Sequence, residues 1–127
     1  MEDEKMTQLT KNFTEAEFAC PCCGEVKMNQ STLNRNQELR DRWGKPYTIA
    51  KGGGYRCPDY DNSKGAHPLG MGIDPMIARQ DMYAFVKLAM LCGFTGIGVK
   101  QKSGRWQVHM DDAPASPSRP RPWMWTY

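Results

Sequence analysis

Long apolar runs, dense charge of one sign and a regular cysteine framework are all missing from this sequence. No stretch approaches the roughly 20 apolar residues of a membrane helix, so no membrane insertion is expected. Lys plus Arg exceeds Asp plus Glu by only 17 to 14, with no basic run, which argues against a nucleic-acid partner. The cysteines number 5, an odd count without the spacing of a small secreted disulfide scaffold. The first residues, MEDEKMTQLTKNF, are polar where a signal peptide needs an apolar core, so synthesis in the cytoplasm without a signal peptide is expected. There is no internal repeat. At 127 residues the chain suits a single domain with one core.

Residues 1–12 read as a flexible tail. Order is expected from Phe13, where Thr14 and Glu17 fit a capping box and Phe13 and Phe18 a hydrophobic staple. Residues 31–44 form an expected helix, with Ser31 as its cap and Gly44 and Pro46 at its end. PYTIA (46–50) reads as a strand that runs into the glycine-rich loop KGGGYRCP (51–58). The clearest helix covers 78–93, where Met82, Phe85, Val86, Ala89 and Met90 follow helical spacing and Gly93 ends it. GIGVKQ (96–101) and RWQVHMD (105–111) read as an antiparallel hairpin turning at Gly104. Residues 113–127, with four prolines in nine residues, exclude a helix or central strand and are expected to pack on the domain through Trp123 and Trp125.

The chain has only 2 histidines, and both sit in suggestive places. His67 and Asp74 flank a turn containing Pro68, Gly70 and Gly72, which can fold a ligand pair around one ion. In a strand, Gln107, His109 and Asp111 project from one face. Two imidazoles and a carboxylate suit zinc with a fourth position open to water, which such an ion acidifies into a nucleophile. The alternative is a surface or hydrogen-bonded histidine at each position.

The order GGGYRCPDYD (52–61), GAHPLGMGID (65–74), GFTGIGV (93–99) and WQVHMD (106–111) resembles the zinc D-Ala-D-Ala carboxypeptidases and related phage L-alanyl-D-glutamate endopeptidases. That group shares its fold with the hedgehog signalling domain. The resemblance runs from about Phe13 to Asp111, includes CPCCG (20–24) and LRDRWGKPYTI (39–49), and is most specific at the H-x6-D spacing of HPLGMGID. It implies an α+β fold over residues 13–112, with a small antiparallel sheet carrying a Zn2+ site and helices on one side. His67, Asp74 and His109 match the metal ligands, and Arg56 matches the arginine that binds or polarises the substrate.

The resemblance is weakest at the general base, since Trp106 and Gln107 stand where relatives place an acid or a histidine. Asp111 is the nearest carboxylate by strand geometry, as the base or as a group orienting His109 or Arg56; Asp112 should face the other way. Gly53 and Gly65 replace serines of the family pattern. Cys20, Cys22, Cys23 and Cys57 leave three alternatives open: a structural zinc site, a disulfide through Cys57, or simple thiols. Cys92 reads as a core residue. The function implied is cleavage of amide bonds in peptidoglycan stem peptides or cross-links by a phage-encoded enzyme. It would act on the cell wall after holin release or as part of the virion tail. The rival is a structural tail component, contacting other virion proteins, that keeps the fold and even the metal without turnover.

Overall fold

In the computed structural model, which describes residues 7–63 and 65–127, the first element is a small antiparallel pair. It joins β1 (Gln8–Thr10) to β2 (Phe13–Thr14). Order therefore begins before Phe13, because Gln8 and Thr10 find backbone partners that their polar side chains do not advertise; residues 1–6 of the expected tail lie outside the described residues. The short helix α1 (Glu15–Phe18) follows, and the Glu17 carboxylate accepts the Thr14 backbone N–H at 2.9 Å. Phe13 and Phe18 close the staple with ring centroids 6.0 Å apart.

Helix α2 (Gln30–Trp43) is capped by Asn29, whose side chain accepts the Ser31 N–H, and ends at Gly44 in the left-handed region. Asn29 rather than Ser31 is thus the cap, and Ser31 lies inside the first turn. The expected strand at 46–50 shrinks to β3 (Thr48–Ile49). Two further short strands, β4 (Gly72–Ile73) and β5 (Pro75–Met76), follow the His67 turn, and β5 pairs with β3. Helix α3 (Met82–Leu91) begins after a 3-10 turn at Arg79–Asp81. It buries Met82, Phe85, Val86 and Ala89, while Met90 stays exposed at the edge of the apolar stripe.

The main sheet contains β4, β6 (Gly96–Lys100), β7 (Gln107–Asp111) and β8 (Trp123–Thr126), in the order β4-β7-β6-β8. β6 and β7 form the expected antiparallel pair, with Gly98 opposite His109 and Gly96 opposite Asp111. The architecture is α+β, but the sheet is mixed rather than purely antiparallel: β8 runs parallel to β6 at the sheet edge. An edge is where a strand preceded by proline fits, since only one side of its backbone must pair.

The two faces of this sheet have different jobs. Val108 and Met110 of β7 join Ile73, Ile97, Phe85, Ala89, Leu33 and Leu39 in one buried cluster under α2 and α3. The alternate residues Gln107, His109 and Asp111 face a cleft on the other side, as the period of two demands. Asp112 leaves that face and binds α2 through Thr32 and the Arg35 Nε, at 3.1 Å from the latter. No helix among the described residues is long and apolar enough to cross a membrane.

Candidate metal centre

The cleft encloses about 620 Å³, and His67, Asp74 and His109 lie at its floor. All three are buried. His67 opens a 3-10 turn, His67–Leu69, and Asp74 sits between β4 and β5, so the turn carries both into one place. His67 Nε2 lies 3.2 Å from Asp74 Oδ1 and 3.2 Å from His109 Nδ1, and His109 Nδ1 lies 3.0 Å from Asp74 Oδ1.

The other nitrogen of each ring explains why these three atoms matter. His67 Nδ1 donates to the Gly54 carbonyl at 2.8 Å, and His109 Nε2 donates to Asp111 Oδ2 at 2.7 Å. Both partners are acceptors only, so each ring proton is drawn to the far side. With neutral rings, two lone pairs and a carboxylate oxygen then face one another at about 3 Å, an arrangement that only a cation relieves. The donor set, two imidazoles and one carboxylate backed by a carbonyl and a second carboxylate, fits zinc and the outer bonding typical of its histidine ligands.

In the metal-free protein that cation is a proton. Burial lowers the His109 pKa, but hydrogen bonds and charge from Asp111 and Asp74 more than offset this and raise it to about 9. Burial likewise raises Asp74, yet its bonds to His109 and His67 keep it well below the usual carboxylate range. A metal must therefore displace the His109 proton. Below pH 9 the apparent affinity for a divalent metal ion is expected to climb by about tenfold per pH unit, each ion releasing one proton. Titration calorimetry in buffers of different ionisation enthalpy reads that proton directly; a flat affinity between pH 6 and 8 would contradict it. For folding the sign is the reverse. The raised pKa stabilises the metal-free fold below the ordinary value of 6.5, and this contribution disappears as pH rises through about 9.

Arg56 is brought to the same site. Its Nη2 holds Asp74 Oδ2 at 3.0 Å, Nη1 reaches Asp61 Oδ2 at 3.3 Å, and Nε donates to the Gly52 carbonyl at 2.6 Å. Three of its five N–H groups are thus engaged within the protein. Compared with family models and with curated proteins, the chain matches none. The geometry alone therefore establishes residue groups able to hold a metal ion, at His67, Asp74 and His109 and also at Cys20, Cys23 and Cys57.

Asp111 has no exposed surface. Its Oδ2 accepts from His109 and from Arg121 Nη2 at 2.8 Å, and its Oδ1 accepts from Arg121 Nε at 2.9 Å and the Ala113 N–H at 3.3 Å. Four donors fill the four acceptor positions of a carboxylate. Burial raises its pKa, but His109 and Arg121 hold it down to about 2. Its partner among the two considered from sequence is His109; Arg56 is engaged elsewhere. Gly96 permits this packing, since a Cβ there would collide with the Asp111 carboxylate and Arg121 Nε.

Sequence reasoning missed Arg121. It arrives from the proline-rich segment, lies over the Trp125 ring at 5.2 Å, and grips Asp111 with two parallel bonds. Trp125 in turn packs on His109 at 5.5 Å. The available signal was the aromatic and β-branched content of Trp123, Trp125 and Thr126, which suits a strand; nothing in the spacing linked Arg121 to Asp111. Trp106 stands away from the metal-binding atoms, exposed beside Arg79, while Gln107 lines the cleft.

Proposed function

We propose that this protein is a zinc peptidase that hydrolyses amide bonds in bacterial peptidoglycan stem peptides or their cross-links. The observation that supports it most is the convergence of His67 Nε2, His109 Nδ1 and Asp74 Oδ1 at 3.0 to 3.2 Å, with both ring protons tied back, at the floor of an open cleft. The resemblance of HPLGMGID and GYR to D-Ala-D-Ala carboxypeptidases and L-alanyl-D-glutamate endopeptidases supplies the substrate class. Lys51 and Lys100 at the cleft, with Trp123, Trp125 and Tyr127 as an aromatic wall, suit an extended peptide bearing carboxylates.

Zinc, when bound, supplies a Lewis acid that acidifies water and polarises the scissile carbonyl. The residues of the chain do the rest. Arg56 fixes Asp74 and lines the cleft, where its remaining N–H groups would meet a substrate oxygen. Asp111 holds His109 in the tautomer that leaves Nδ1 free, and Arg121 keeps Asp111 ionised and in place. In this reading Asp111 is a positioning residue, since its acceptor sites are full. The resemblance also supports a phage protein that acts on the host wall, through holin release or from the virion tail.

One observation favours the structural-component reading. The carboxylates lining the cleft, Asp61, Asp74 and Asp111, are each committed to donors within the protein, Asp61 to Arg56 and Ser63. Incubation of the zinc-loaded protein with purified sacculi decides between them: new amine and carboxyl ends in the stem peptides, found by mass spectrometry, are expected. Zinc bound at His67, Asp74 and His109 with no cleavage would leave the structural reading standing. Asp111→Asn separates the two roles of Asp111. A positioning role lowers zinc affinity by about 10- to 100-fold and is rescued by excess zinc; a base role abolishes turnover with zinc in place.

A further inference from the structure

A second cluster of metal-binding side chains lies outside the histidine site. The Sγ atoms of Cys20, Cys23 and Cys57 all lie within 4.8 Å of one another. All are free thiols, so the cluster is not explained by a disulfide. Cys20 and Cys57 are buried with Tyr55, and Met28 packs against them; Cys23 and Cys22 are exposed. Cys22, exposed on the same turn beside Cys23, is the candidate for a fourth sulfur.

The backbone around Cys20 is arranged as it would be for a thiolate. The Cys57 N–H donates to Cys20 Sγ at 3.3 Å. Gly24 N–H returns to the Cys20 carbonyl at 2.8 Å, and Gly24 has φ of 78°, so CPCCG closes into a tight turn around the sulfurs. A side chain at Gly24 would be strained in that conformation. The turn presents Cys20, Cys22 and Cys23 from one segment, and Cys57 closes the group from a loop 34 residues beyond Cys23.

We propose that Cys20, Cys22, Cys23 and Cys57 bind a structural zinc ion, with a tetrahedral four-thiolate shell, that staples the CPCCG turn to the loop carrying Arg56. Soft sulfur ligands in a closed set select zinc and leave no position for water, so this ion has no catalytic part. Its value is positional. The loop it secures also supplies the Gly54 carbonyl that orients His67 and the Gly52 carbonyl that binds Arg56. Phe18, two residues before Cys20, accepts the Tyr55 N–H at 2.9 Å, so the two segments are already in register.

The inference does not rest on the peptidase reading, and its test reads metal rather than cleavage. A His67→Ala/His109→Ala variant, purified under reducing conditions, is expected to retain one zinc equivalent. Adding Cys57→Ser or the exposed Cys23→Ser should remove it, whereas Cys92→Ser should not. Cobalt substituted into the double-histidine variant should show intense thiolate charge-transfer absorption, reduced by about a quarter in Cys22→Ser. A double-histidine variant without zinc and with reactive thiols, or with a disulfide among these cysteines, would overturn the proposal. Iron in place of zinc would overturn the identity of the ion, and an unchanged cobalt spectrum in Cys22→Ser would overturn the four-thiolate shell.

Discussion

His67→Ala and His109→Ala are each expected to abolish peptidoglycan cleavage together with zinc binding at the histidine site. Each removes one of two nitrogen ligands and leaves Asp74 facing a single imidazole. Lewis-acid stabilisation contributes several kcal/mol to hydrolysis, and each 1.36 kcal/mol is a factor of ten in rate, so a fall of about 10³-fold or more is expected. The readout is paired: zinc per chain, and fragments released from sacculi. The fold itself should survive, because His67 and His109 face the cleft while Val108, Met110 and Ile73 hold the core on the other side. Cleavage that persists in a variant with no metal at this site would sink the zinc mechanism.

Arg121→Ala is expected to show the largest loss of stability among single changes at the site. Asp111 is fully buried, and among the described residues Arg121 is the permanent cation bonded to it. Once zinc displaces the proton of His109, that ring is neutral, and the guanidinium alone balances the carboxylate. Removing one member of a buried ion pair leaves an uncompensated charge, at a cost of about 3–5 kcal/mol. For a chain of this length that corresponds to a melting temperature lower by roughly 10–20 °C. The zinc-loaded protein should be unfolded in denaturant beside Asp111→Ala and the double variant. If the double variant is no more stable than Arg121→Ala, the loss does not come from the stranded carboxylate. Arg121→Lys should recover only part of the stability, because an ammonium cannot reproduce both parallel bonds.

Much of the site was legible because its parts are local. HPLGMGID carries two candidate ligands across a turn marked by Pro68 and Gly70, and the alternation in QVHMD puts His109 on the face opposite Val108 and Met110. The helix over Met82–Leu91 was legible for the same reason, since its apolar spacing is continuous. What stayed hidden depends on partners distant in sequence. Ser31 reads as the cap, but the helix starts earlier and Asn29 caps it, because the choice turns on where the chain enters the helix. The Gln8–Thr10 strand pairs through backbone atoms, which no side-chain pattern reports. Arg121 was least visible, because a basic residue between prolines carries no sign of the buried carboxylate ten positions earlier. The cysteines fell between these cases: CPCCG shows its turn, but only the fold brings Cys57 to it.

The place of β8 in the sheet also bears on the order of events during synthesis. His67, Asp74, His109 and Asp111 all leave the ribosome before Arg121, which bonds Asp111, and Trp125, which lies in the strand parallel to β6. A nascent chain stopped at residue 118 would hold both candidate ligand sets but have no guanidinium for Asp111. Emerging at about 5–20 residues per second, the chain thus completes its histidine centre only once β8 has followed β7 out of the ribosome.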